Sequence, residues 1–172
     1  SRDDFKNGFV KSNLALIKHV DHDVRIQLES INETSEVHAE ASGSLNWGPQ
    51  LIQADALWSQ NINGAGIVVG VVDGMVDVNH AQLSSNILIN SGEVAGNGVD
   101  DDHNGFVDDY KGVQVNKEPN DPSKNIHGTH VSGIIAADST KGPIAGVAQK
   151  AKILPAQFIG NDGGGSIGDA IV

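Results

Sequence analysis

Apolar side chains change their rhythm along this chain. Over residues 24–31 they alternate with polar ones, the period-two spacing of a half-buried strand. Residues 9–11 read as extended, and residues 13–20 as a short helix with Leu14, Ile17 and Val20 on one face. Residues 32–45 are polar and rich in small side chains, which suits an exposed linker; the glycosylation triplet at Asn32–Thr34 is of a kind common by chance. From Trp47 the texture changes. Residues 51–58 suit a short helix, and residues 66–72 form a continuous β-branched run, the mark of a parallel-sheet strand buried on both faces. Residues 84–126 are acidic, rich in Gly and Asn, and predict loop. Val131, Ile134 and Ile135 recur at helical spacing over residues 128–138, residues 151–158 read as a second buried strand, and residues 167–172 open another helix. This order predicts an α/β fold built on a doubly wound parallel sheet, with functional residues at the carboxyl ends of its strands. It divides the chain into a small N-terminal segment, 1–42, and an α/β unit, 43–172.

Composition narrows the chemistry. Hydrophobic residues make up 38% of the 172 and aromatics 4%, with 21 glycines, so the core is built from small aliphatic side chains. The 22 acids against 11 Lys and Arg leave a formal charge of −11, which a phosphate backbone repels; no nucleic-acid partner is expected. No apolar run reaches the roughly 18 residues of a spanning helix, so no membrane partner is expected either. The absence of cysteine excludes thiolate metal sites, iron–sulfur clusters, disulfides and a Cys nucleophile, without fixing a compartment. A start at Ser1 and a single methionine, Met75, lead to the expectation of a processed or incomplete product whose signal peptide is gone.

Two residues stand out. Asp73 follows the buried run directly, where a carboxylate is desolvated from below and needs a partner; from local sequence alone, it reads first as a helix N-cap or turn Asp. His127 opens the segment His127-Gly128-Thr129-His130 at the start of an amphipathic helix, and Gly128, Ser132 and Gly133 let that helix pack closely on a sheet. Alone, it reads as a structural or surface histidine. A zinc site on His127 and His130 fails, since the spacing is i, i+3 with no intervening Glu and no evident third ligand. Together, an Asp at a strand end followed by His-Gly-Thr-His on a small-residue helix resembles the subtilisin-like serine proteases, whose triad runs Asp, His, Ser. Residues 47–58, the stretch around Asp73, Asp77 and His80, residues 125–137 and residues 144–148 all resemble that family, from about residue 44 to the end.

The resemblance implies a serine endopeptidase acting on peptide or protein substrates, its fold the incomplete N-terminal half of a subtilisin-type sheet. Asp73 would hold and stabilise the His127 imidazole, and His127 would shuttle the proton of a serine. The family's serine lies later, in a Gly-Thr-Ser context, so the chain carries Asp and His only and its C-terminal half is an expected partner. Gly164–Gly168 mimics a nucleophile elbow around Ser166, yet no His follows it. Gly163, Gly164 and Gly165 instead resemble the family's substrate-pairing edge, where a missing side chain permits close backbone approach.

A third feature is spaced like a calcium loop. Asp100, Asp102 and Asn104 supply oxygens at positions 1, 3 and 5, Gly105 stands at 6, the Phe106 carbonyl at 7 and Asp108 at 9. Lys111 occupies position 12, so Asp108 or Asp109 must close the site. The alternative is a solvated acidic loop without an ion. The family's other calcium site is not expected, since Gln82 and Thr140 stand where an acid and an Asn are usual. Gly64 and Gly66 precede their strand, which excludes a dinucleotide fingerprint. Gly74 and Met75 depart from the family's usual hydroxyl residue and Gly after the Asp, and Met75 is expected to add bulk beside the substrate. Residues 5–40 resemble the latter half of the family's inhibitory propeptide, with residues 37–44 expected to cross the cleft; a mature N-terminal extension is the rival. The resemblance thus implies a secreted, calcium-stabilised zymogen. The competing readings are an inactive relative that serves as a binding or calcium-binding module, and an excised fragment without activity of its own.

Overall fold

The computed structural model describes residues 5–13, 15–17, 20, 23–28, 45–115, 121 and 126–171. A π-helical turn Phe5–Val10 is followed by β1 (Arg25–Gln27), α1 (Trp47–Leu51), α2 (Ala54–Trp58) and β2 (Val68–Asp73). After a 3-10 turn Ser84–Asn86 come β3 (Val113–Gln114), α3 (His127–Ala136), β4 (Lys152–Gln157), β5 (Gly164–Ser166) and α4 (Ile167–Ala170). The fold is mixed α/β around a small parallel sheet of order β2-β4-β3. Val68 pairs with Lys152 and Asp73 with Gln157, so the acidic end of β2 lies level with the end of β4. A separate antiparallel pair joins β1 to β5.

The helical spacing of Val131 and Ile135 places both against the core, with Ala136 fully buried beside them. Val69 and Val71 from β2, Ile153 from β4, and Val76, Val78, Leu83 and Ile87 from the intervening segment complete this cluster. Helix α3 therefore covers one face of the sheet and fixes its own first residue at the sheet's carboxyl end.

Several expectations are corrected. The β-branched run was expected to be buried on both faces, but Val68 and Val72 are 51% and 54% exposed. Only the face under α3 is covered among the described residues; the composition of the run is the same in either case. The helix expected over residues 51–58 is two helices, because Gln53 adopts a left-handed φ of 59° between them. Residues 9–11, expected to be extended, are helical, beginning within the π-helical turn, while residues 13, 15 and 16 form turns. The strand expected over residues 24–31 spans Arg25–Gln27 among the described residues, and residues 29–31 lie outside them. Leu14, the 32–44 linker with its Asn32 triplet and the proposed cleft-crossing stretch, and Asn125 lie outside the described residues. Gly64 and Gly66 have positive φ, and a Cβ at Gly64 would meet that of Ala148 at 2.8 Å, so the first is a packing glycine of the turn before β2.

Candidate active site

The last residue of β2 and the first residue of α3 meet. His127 Nδ1 lies 2.7 Å from Asp73 Oδ1 and 2.9 Å from Oδ2, across 54 positions of sequence. The side chains are half-buried or better, at 30% exposure for His127 and 14% for Asp73. The Gly74 N–H also donates to Asp73 Oδ1, and the Asp73 carbonyl accepts from the N–H groups of Phe158 and Ile159. Backbone and carboxylate are thus both held. A neutral imidazole whose Nδ1–H donates to a carboxylate leaves the Nε2 lone pair as a base.

The turn after Asp73 serves as the socket for α3. The Thr129 N–H and hydroxyl both donate to the Met75 carbonyl, at 3.1 Å and 3.3 Å, while the Asp77 N–H donates to Thr129 Oγ1 at 2.8 Å. Gly128 is required for this approach: a Cβ there would lie 2.4 Å from the Gly74 carbonyl oxygen. Met75 does not line a cleft as expected. Its side chain is 4% exposed, because the turn that offers its carbonyl to the helix leaves the thioether inside.

The three serines after His127 have other surroundings. Ser132 is fully buried in α3, Ser139 donates to Gln149 Oε1, and Ser166 caps α4 by accepting from the Asp169 N–H. Ser166 is thus a capping residue of α4. Gly164 and Gly165 lie in β5 with Gly163 just before them at φ 76°, but their edge is paired with the chain itself. Gln27 pairs with Gly164, Ile26 with Gly165 and Arg25 with Ser166, while the Leu28 N–H donates to the Gly163 carbonyl. An Arg25–Asp162 salt bridge at 2.5 Å closes this contact. Nothing in the local pattern of residues 24–28 signals that partner.

The acidic loop is a web of carboxylates. Glu93, Asp100 and Asp102 each bring an oxygen within 4.8 Å of the others. Of the residues expected as ligands, Asp100 and Asp102 are thereby gathered. Asn104 Oδ1 accepts from the Phe106 N–H, and its amide donates to Asp102 and Asp109. Asp108, at a left-handed φ of 55°, turns both oxygens to the N–H groups of Asn97 and Gly98. Asp109 accepts from the side-chain amides of Asn90 and Asn104. Glu93 escaped the sequence reading because it precedes the motif; an isolated acid after Gly92 has no spacing to mark it. The donors are all hard oxygens, which fits Ca²⁺ or another hard divalent cation better than a soft metal. Among the described residues no helix is long and apolar enough to cross a membrane.

Known proteins supply an independent comparison. The sequence profile of the subtilase family matches residues 64–171, which includes Asp73, His127 and the glycine-rich edge. Subtilisin-like protease 1 of Plasmodium vivax is 38% identical over 131 residues, covering 73% of this chain and 21% of that protein. The major intracellular serine protease of Bacillus subtilis is 30% identical over 158 residues, 90% of this chain and 39% of the relative. A halolysin-like extracellular serine protease of Natrialba magadii is 29% identical over 137 residues, 80% of this chain and 23% of its own length. The chain therefore spans well under half of each of these relatives.

Proposed function

The chain belongs to the subtilase family, and on that premise we propose that it carries the Asp and His of a serine endopeptidase acting on peptide or protein substrates. The observation that carries this reading is the 2.7 Å contact between His127 Nδ1 and Asp73 Oδ1 at the carboxyl end of the sheet. In the reaction, His127 Nε2 takes the proton of a serine hydroxyl as that oxygen attacks the amide carbon. It then returns the proton to the leaving amine, while Asp73 fixes the tautomer and stabilises the imidazolium. The serine is expected from the C-terminal half of the catalytic domain, whose further strands would complete a doubly wound sheet. The competing reading, an inactive relative serving as a binding or calcium-binding module, takes its best support from Met75 next to Asp73, and the burial of Met75 weakens that support.

Two further elements belong to the proposal. The acidic loop takes calcium as a structural ion. The N-terminal segment acts as an inhibitory propeptide, which is supported by Arg25–Gln27 lying antiparallel along the edge where an extended substrate would pair. Secretion completes the picture, and is checked by recovering the protein from the medium of its source.

The test is hydrolysis of a protein substrate by the full-length enzyme in the presence and absence of a serine-directed inhibitor. Inhibitor-sensitive cleavage is expected. His127→Ala should lower kcat about a million-fold, and Asp73→Asn about ten-thousand-fold with the fold intact. Full-length enzyme without inhibitor-sensitive cleavage, or a His127→Ala variant that retains it, would reject the assignment.

A further inference from the structure

We propose that Asp162 selects basic side chains in the substrate: an extended peptide paired with β5 is favoured when it carries Arg or Lys at the position facing Ser166. The proposal rests on the reading that this edge receives substrate, and adds the residue that discriminates among substrates and the charge it selects. Residues 24–28 show how a strand is held there. Their ladder runs from the Val24 carbonyl, which accepts from the Ile167 N–H, to the Leu28 N–H, which donates to the Gly163 carbonyl. Between these ends Arg25 faces Ser166, Ile26 faces Gly165 and Gln27 faces Gly164. Main-chain pairing of this kind is blind to side chains, so discrimination falls to the seats that alternate side chains find along the edge.

Arg25 and Gln27, two positions apart, project from the same side of β1, and both reach Asp162. The Arg25 guanidinium pairs with Asp162 Oδ2 at 2.5 Å, and Gln27 Nε2 donates to the Asp162 carbonyl at 2.7 Å. On its way the Arg25 side chain passes over Gly164, where a Cβ would lie 2.8 Å from the guanidinium carbon. Bare backbone is therefore part of the seat. The β5 edge aims the carboxylate: Asp162 Oδ1 accepts from the Gly164 N–H at 2.8 Å, which leaves Oδ2 turned to the paired strand. A fixed negative charge beside one substrate position attracts a long basic side chain and repels an acidic one. The same turn joins this edge to the reaction pair, since the Gly160 N–H donates to the Gly164 carbonyl and the Phe158 N–H to the Asp73 carbonyl. The Arg25 and Asp162 side chains are 65% and 60% exposed, so the pair has the strength of a surface ion pair. It should supply a preference of about two- to fivefold.

The test compares cleavage by the full-length enzyme of peptides that carry Arg or its neutral isostere citrulline, scanned position by position along an extended sequence. At one position kcat/KM for Arg should exceed that for citrulline about two- to fivefold at low salt. The ratio should fall toward one at about 1 M salt, where the Debye length is about 3 Å. Asp162→Asn keeps an acceptor for the Gly164 N–H and should bring the ratio at that position to about one, while Asp162→Lys should favour Glu over Gln there. Cleavage of the citrulline peptides shows that each variant is folded. If Asp162→Asn cleaves none, the salt series on the unaltered enzyme decides, and the absence of any salt-sensitive preference for Arg overturns the assignment. Equal rates for Arg and citrulline at every position, or a preference that Asp162→Asn does not move, would overturn the role of Asp162 while leaving the peptidase reading standing. No inhibitor-sensitive cleavage of any peptide by the unaltered enzyme would overturn both.

Discussion

Two loops lie on either side of His127 in sequence, and they satisfy their backbones largely by different means. The first, residues 90–109, is held by carboxylates that accept from N–H groups: Glu93, Asp101 and Asp108 each take backbone donors. The second, residues 138–149, is held mainly by amides that donate to carbonyls, with one carboxylate, Asp138, accepting from Thr140. Gln82 Nε2 donates to the carbonyls of Asp138 and Ile144 at 3.1 Å and 2.6 Å, and Asn86 Nδ2 to those of Ala136 and Gln149, both at 2.8 Å. Gln82 and Asn86 are 7% and 5% exposed, so these are interior staples. A carboxylate has no proton to give and accumulates charge with each one added; a neutral amide spends two donors at no charge. On the proposed reading, the first loop takes a cation and the second needs none.

Chelation is the strongest way to break this contrast. Removing calcium from the full-length protein should raise the rate of limited proteolysis within residues 95–108 at least tenfold, equivalent to ~1.4 kcal/mol of lost local stabilisation. Cleavage within residues 138–149 should not change. Equal loosening of both loops would mean that the amide staples are not self-sufficient. Next in size is Gln82→Ala, which strips a donor from two carbonyls, that of Asp138 buried and that of Ile144 part-buried, and leaves a cavity beside Gly142. Denaturant unfolding should show a loss of about 2–4 kcal/mol, the same with and without calcium. Gln82→Glu sharpens the comparison further, because it sets a carboxylate against two carbonyls. Its stability should become calcium-responsive, converting the second loop into the first kind.

The reaction pair was far more legible in the sequence than either loop. Asp73 ends a β-branched run and His127 begins an amphipathic helix, so local pattern alone placed both at element boundaries, and parallel pairing of β2 with β4 then brought those boundaries to one end of the sheet. The open face of β2 was illegible, since a valine run reads alike with one face covered or two. So was the pairing of β1 with β5, whose contact between Arg25 and Asp162 spans 137 positions. Glu93 and Gln82 were opaque for a related reason. In loops no period links a side chain to its neighbours, and the burial of one acid among six depends on where turns with positive φ, such as those at Gly96, Gly98 and Gly105, direct the backbone.

Acid should separate the loops more gently. The Thr140 hydroxyl, and then its backbone N–H, donate to Asp138 Oδ1 and hold that carboxyl below its usual pKa. A depressed folded-state pKa stabilises the protein fully above the unfolded value of about 4, and this contribution drains away as pH falls through the lower folded value. Asp138→Asn should therefore flatten the part of the stability–pH curve below about pH 4 without altering the response to chelation. An unchanged acid slope would show that the Thr140 bonds do not survive in solution.

The smallest expected effect tests the logic of the comparison. Two buried side-chain oxygens among the described residues lack a hydrogen-bond partner, Glu93 Oε2 and Ser132 Oγ. One belongs to an anion and the other to a neutral hydroxyl packed inside α3, where Ser132 is fully buried. An unmet hydroxyl is a modest penalty that no ion relieves, so Ser132→Ala should raise stability by up to ~1 kcal/mol, equally with and without calcium. Glu93→Gln should lower stability only when calcium is present, because the ion's contribution goes with the charge. If Ser132→Ala instead destabilises by ~2 kcal/mol or more, its hydroxyl has a partner. An orphaned oxygen would then not suffice to mark a charge-seeking site in this protein.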